Sequence, residues 1–96
     1  MLGERLHKAA AAGDVRGILW CVAHKVAIDW RSAPPEGRTA LHQAAAGGHI
    51  AACEVLLQNS ANPKLLDAQQ CSAVDCALVA GHVEILEYLQ EKIDKY

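Results

Sequence analysis

Two spacings in this chain could bring soft metal ligands together: Cys21-x2-His24 and Cys71-x4-Cys76. Structural zinc needs four ligands converging as a tetrahedron, usually as two close pairs, and no CxxC pair occurs here. Sliding the chain against itself gives the thiols another explanation. A 35-residue shift lays Cys21 on Leu56 and Cys53 on Ile18; a 33-residue shift lays Leu56 on Leu89 and Cys53 on Leu86. Cys21 and Cys53 thus occupy apolar helix positions, where cysteine acts as a small hydrophobe. Nucleophilic catalysis needs a nucleophile, a base and an orienting group at one cleft. The histidines recur instead: His7 matches His42, and His49 matches His82, so packing and loop hydrogen bonds explain them. Only His24 has no counterpart, and it falls in a surface loop. Gly47-Gly48 lies in neither a GxGxxG nor a Walker pattern. These readings predict no catalytic residue, no metal and no cofactor.

The same shifts define the elements that carry these residues. At 33 residues, Thr39-Ala40-Leu41-His42 falls on Ser72-Ala73-Val74-Asp75, Ala44 on Ala77, Gly48-His49 on Gly81-His82 and Ile50 on Val83. At 35 residues, Leu6-His7 falls on Leu41-His42 and Gly13-Asp14 on Gly48-His49, the two extra residues fitting the turn-rich stretch 32–37. Repeats of this period stack as supersecondary units. In the middle unit, 40–46 reads as a short helix ended by Gly47-Gly48, glycine suiting the left-handed cap. A second helix follows over 50–58 with Ala52, Cys53, Leu56 and Leu57 on one side, then a Pro63-containing connection over 59–70. The last helix carries the stripe Ile85, Leu86, Leu89 and Ile93, with Lys92 and Lys95 near its negative end. Thr39 with His42, and Ser72 with Asp75, are placed to cap the first helices of units two and three.

This pattern resembles the ankyrin-repeat family over nearly the whole chain. The resemblance rests on Gly-Arg-Thr-Ala-Leu-His-Gln-Ala-Ala at 37–45, with Ala40 where the family has proline, on Gly48-His49, Leu56-Leu57 and Ala61, and on Gly81-His82-Val83-Glu84-Ile85. It implies an all-α repeat solenoid of three ankyrin repeats, each helix-turn-helix plus a hairpin-like loop. The units run over about 3–35, 36–68 and 69–96 of a single domain, 1–96. Unit one departs with Glu4-Arg5 for Thr-Pro, and unit three with Asp75 for histidine. Such drift suits terminal units, which need a polar outer face to act as caps. A narrower resemblance joins Ile28-Asp29-Trp30, Thr39 to Ala44 and Cys53 to Asn62 to the ankyrin segment of Arf GTPase-activating proteins. It implies an auxiliary module of a larger regulatory enzyme, with catalysis outside these residues.

Composition narrows the partners. Ninety-six residues make one small domain, with no room for a catalytic domain beside a binding domain. The net charge of −2 gives no electrostatic reason to expect nucleic acid or acidic lipid. No apolar run is long enough to span a membrane, and residues 1–7 lack the apolar core of a signal peptide. Irregular cysteine spacing fits a reducing cytoplasm. The expectation is a cytoplasmic monomer that binds another protein, an uncapped end being the route to self-association. In this architecture hairpin tips and the exposed face of the first helices form a concave strip. The first connection offers Trp30, Arg31, Glu36 and Arg38, and the second Leu66, Asp67, Gln69 and Gln70. Gln43 and Cys76 face the same strip, each following the Leu-His or Val-Asp pair of its unit. Trp30 serves either as a binding anchor or as a lid over the neighbouring repeat. Trp20 aligns with Val55 and Tyr88 on a second helix, which points to partial burial.

Overall fold

A computed structural model describes residues 2–95. It contains six helices, α1 (Leu2–Ala12), α2 (Val15–Ala23), α3 (Ala40–Gly47), α4 (Ile50–Gln58), α5 (Ala73–Ala80) and α6 (Val83–Lys95), and no strand among the described residues. They pair as α1–α2, α3–α4 and α5–α6. The first helices α1, α3 and α5 stack side by side, and α2, α4 and α6 form a second layer behind them.

The helix starts follow from local hydrogen-bond chemistry. Thr39 accepts from the His42 N–H while His42 Nδ1 accepts from the Thr39 N–H, a reciprocal capping box. Ser72 and Asp75 do the same for α5. Asp14 caps α2 by accepting from the Gly17 N–H at 3.0 Å. Gly48 and Gly81 end α3 and α5 in the left-handed conformation, at φ 78° and 80°.

Small residues set the spacing between layers. Ala10, Ala40, Ala44, Ala45, Ala52 and Ala77 are fully enclosed, and the larger core side chains Leu6, Ile18, Leu41, Leu56, Ile85 and Leu89 fill what remains. Cys21 and Cys53 are fully buried at the apolar positions that their register implies. In α1 a Cβ added at Gly3 would overlap the Trp30 ring, so the first connection folds back against the start of the chain. Gln70 is a local exception: it adopts φ 66° at the tip of the second connection, where the matching residue of the first connection is Gly37, at φ 59°.

Truncating Leu56 to alanine is expected to cost about 2–5 kcal/mol in urea unfolding, because the cavity lies among residues that cannot close in. Gln70→Gly is expected to gain about 0.5 kcal/mol, the relieved left-handed strain exceeding the added chain entropy, and Gly37→Ala to lose about 1 kcal/mol. Equal effects at the two matched positions would contradict this account of the turn.

Candidate functional site

The candidate residues lie on two connections that are tied to one another. Arg31 donates from its guanidinium to the Leu66 carbonyl, the Ala68 N–H donates to the Glu36 carbonyl at 2.9 Å, and the Asn62 N–H donates to the Asp29 carboxylate at 3.1 Å. The tips therefore move as one body rather than as independent loops. Asp67 anchors the second tip. Its Oδ1 accepts from the Gln69 and Cys71 N–H groups, each at 2.9 Å, and its Oδ2 lies 3.5 Å from Arg38 Nε. Burial opposes the Asp67 charge, yet the two amides and the nearby His42 and Arg38 outweigh it and hold the carboxyl below its ordinary value.

This placement corrects the expectation that Asp67 is a surface contact. It is buried, and its work is to close the turn and to aim Arg38. Cys76 is likewise almost enclosed, reaching solvent only at the floor of a groove. Glu36, Arg38, Gln43 and Gln69 come together as expected. With Pro35 and an edge of Asp67 they line an open groove of about 520 Å³. On one side it continues, through Pro35 and Glu36, into a more apolar groove of about 680 Å³ walled by Trp30, Arg31, Pro34, Glu4, His7 and Lys8. On the other, through Arg38 and Gln69, it meets a shallower one of about 230 Å³ that includes Cys76, Ala46 and Val79. Leu66 and Gln70 are exposed but stand outside these three grooves.

Trp30 performs both roles open to it. Its ring meets His7 edge-on, with centroids 5.0 Å apart, and covers Gly3, while the remainder faces the larger groove. Trp20 is half-buried, stacked under the His24 ring at 3.8 Å and under the Arg5 guanidinium at 3.8 Å. That accounts for His24, whose Nδ1–H donates to the Trp20 carbonyl at the end of α2. Lys8 lines the large groove but is absent from the expected strip. The 35-residue shift that matches it to Gln43 was the signal for it.

The grooves hold no activated group. Burial pushes the Cys53 thiol up to about 12, with Glu54 adding to it, and burial also raises Cys21 and Cys76, so none of these is a ready thiolate. Among the described residues no three His, Cys, Asp or Glu side chains converge as metal ligands, and no helix is long and apolar enough to cross a membrane.

His42 is the central imidazole. Its Nε2–H donates to the Cys71 carbonyl at 2.8 Å, and its Nδ1 accepts from the Thr39 N–H at 3.1 Å and the Thr39 hydroxyl at 2.8 Å. Burial lowers its pKa, more than the Cys71 carbonyl and Asp67 raise it. A second ring proton would also face the Thr39 N–H. His7 is lowered for the same first reason, with its Nε2–H donating to the Trp30 carbonyl at 3.0 Å.

Comparison with known proteins agrees with this architecture. The family profile described as "Ankyrin repeats (3 copies)" matches residues 6–96, and the chain belongs to the ankyrin-repeat family. It is 39% identical over 67 residues to human "Arf-GAP with coiled-coil, ANK repeat and PH domain-containing protein 3", covering 70% of this chain and 8% of that protein. It is 32% identical over 80 residues to protein 2 of the same description from Rattus norvegicus, covering 83% and 10%. "Ankyrin repeat and KH domain-containing protein mask-1" of Caenorhabditis elegans is 36% identical over 81 residues, 84% of this chain and 3% of that protein. The chain spans a tenth or less of the length of these relatives. Ankyrin repeats are protein-interaction modules, and this unit is one by family.

Because His7 and His42 are depressed below 6.5 in the fold, the unfolded chain takes up protons that the native state refuses. Stability is therefore full above about pH 7 and falls as pH drops through 6.5 toward the folded values. Asp67, depressed below 3.8, adds a separate loss only in stronger acid. Urea titrations between pH 7.5 and 5 should show the first loss, and His42→Gln should show a shallower slope from a lower starting stability. A slope unchanged by His42→Gln would remove His42 from this account.

Proposed function

We propose that the chain binds a partner protein along the continuous concave trough that runs from Trp30 past Glu36, Arg38 and Gln43 to Gln69. The observation that carries this reading is the bracing of the trough: Arg38 is aimed by a buried carboxylate, and the two tips that present Glu36 and Gln69 are bonded to each other. A surface already held in place loses little conformational freedom on binding. Glutamine amides at Gln43 and Gln69 offer donors and acceptors together, which suits the backbone or polar side chains of a protein segment. Trp30 and Pro34 supply apolar area at one end. In this reading the module has no catalytic group of its own, works as a monomer in the cytoplasm and does not engage nucleic acid.

A second reading has its own support: relatives named as Arf-GAP proteins with coiled-coil, ANK repeat and PH domains match most of this chain, which covers a small part of each. The module would then serve as the interaction segment of a larger regulatory enzyme, its partner surface being a neighbouring domain. The two readings use the same trough and differ in whether the occupant lies in the same polypeptide.

A photo-crosslinking residue at position 69, compared with one at Glu84 on the outer layer, tests the trough directly. Crosslinked partner should accumulate from position 69 and not from 84. Gln43→Ala with Gln69→Ala should weaken capture of that partner about tenfold, near 1.4 kcal/mol, with the thermal midpoint almost unchanged. Equal crosslinking from both positions would discard the trough as the binding surface.

A further inference from the structure

The chain builds the same interface twice, between units one and two and between units two and three, and three features recur at it. Leu6 and Leu41, at matching positions, are buried, as are Ala10 and Ala45. The left-handed glycines Gly13 and Gly48 lie beneath the rings of His49 and His82 from the following unit, so close that a Cβ on either would strike the ring. The His49 ring also donates from Nε2–H to the Ala11 carbonyl of unit one, at 3.0 Å.

Unit three presents the same face with nothing on it. Val74, at the position of Leu6 and Leu41, is left half-open. Leu78, at the position of the enclosed Ala10 and Ala45, is 61% exposed, and Val83 is 60% exposed. Nothing lies within 4 Å of a Cβ built on Gly81. The sequence-based expectation of a polar outer face on this terminal unit is therefore not met: the face is apolar, with an open imidazole seat at its centre. A unit that ends a stack in water would carry polar residues at these positions.

We infer that this face of unit three, formed by Val74, Leu78, Gly81 and Val83, docks an ankyrin-type helical hairpin of a separate polypeptide, one with a histidine at the start of its second helix. Continuity with the two interfaces already built selects a hairpin of this type. A second copy fits less well. Its first unit has Asp14 at the histidine position, already engaged as a helix cap, and two third units face to face would oppose Gly81 to Gly81 while both His82 rings stay on Gly48. The occupant is held differently from units one to three. His7 and His42 donate outward to the Trp30 and Cys71 carbonyls, but unit three has Asp75, an acceptor whose Oδ2 is turned back on Ser72. In addition α6 runs on to Lys95, past Glu91, the residue matching the end of α4 at Gln58. The hairpin is thus a removable partner, seated by apolar contact and one imidazole.

The test extends the protein: residues 1–91 followed by 59–96 add a fourth unit bearing its own Gly-His pair, on the native face and on Leu78→Ala. Protease resistance of the added unit, about tenfold slower amide exchange over 74–83 and a thermal midpoint raised by about 5 °C are expected on at least one of the two faces. Replacing the added unit's histidine by alanine should reverse most of that slowing. Rapid cleavage of the added unit on both faces, with exchange over 74–83 unchanged, would overturn the inference. Sedimentation of the native chain over a wide concentration range should show monomer; a dimer abolished by Leu78→Glu would assign the face to a second copy and overturn it equally.

Discussion

One buried imidazole holds the middle of this molecule together. His42 is fixed as a neutral ring with its proton on Nε2, because its other nitrogen is occupied by two groups of Thr39. The same ring therefore closes the start of α3 and reaches 29 residues along the chain to the Cys71 carbonyl. A helix cap and a contact between units become one bond network, and neither half can be formed without placing the other. Burial and the absence of water make each bond stronger and make an unmade one costly. His7 repeats the outward half of the device toward Trp30, which fastens the longer first connection.

The trough depends on this frame. The Cys71 backbone is gripped from both sides: its carbonyl by His42 and its N–H by the Asp67 carboxylate. Asp67 in turn faces Arg38, the residue before Thr39. The chain of contacts thus runs from the core imidazole through the second tip to a guanidinium at the centre of the concave face. Close approach of the alanine-rich helices brings the successive tips near enough to bond to each other, and larger side chains at Ala44, Ala45 or Ala77 would part them.

Register explains what was legible in the sequence. Matching by 33 and 35 residues placed Leu41, Leu56, Cys21 and Cys53 in the core, paired Thr39 with His42 and Ser72 with Asp75, and ended α3 and α5 at glycines. These features are common to the units, so self-comparison exposes them. Asp67 was misread because an acidic loop residue looks solvated until the turn that folds two amides onto it is known. Lys8 was overlooked although its match to Gln43 was available. His24 had no repeat counterpart, and its stacking on Trp20 is a local matter that no period reports.

The outer face of unit three shows the limit of that kind of reasoning. A repeat signature says what each unit shares with its neighbours and nothing about what covers the last one. Asp75 keeps the inward half of the histidine's work, accepting from the Ser72 N–H at 2.9 Å, and cannot perform the outward half because a carboxylate has no proton to give. The substitution leaves α5 as well capped as α3 while removing the polar tie to any further unit. Apolar burial on Val74, Leu78 and Val83 is then the main attraction left, and it is non-directional. An interface of that composition favours exchange over permanence, which separates the end of this stack in kind from its two internal joints.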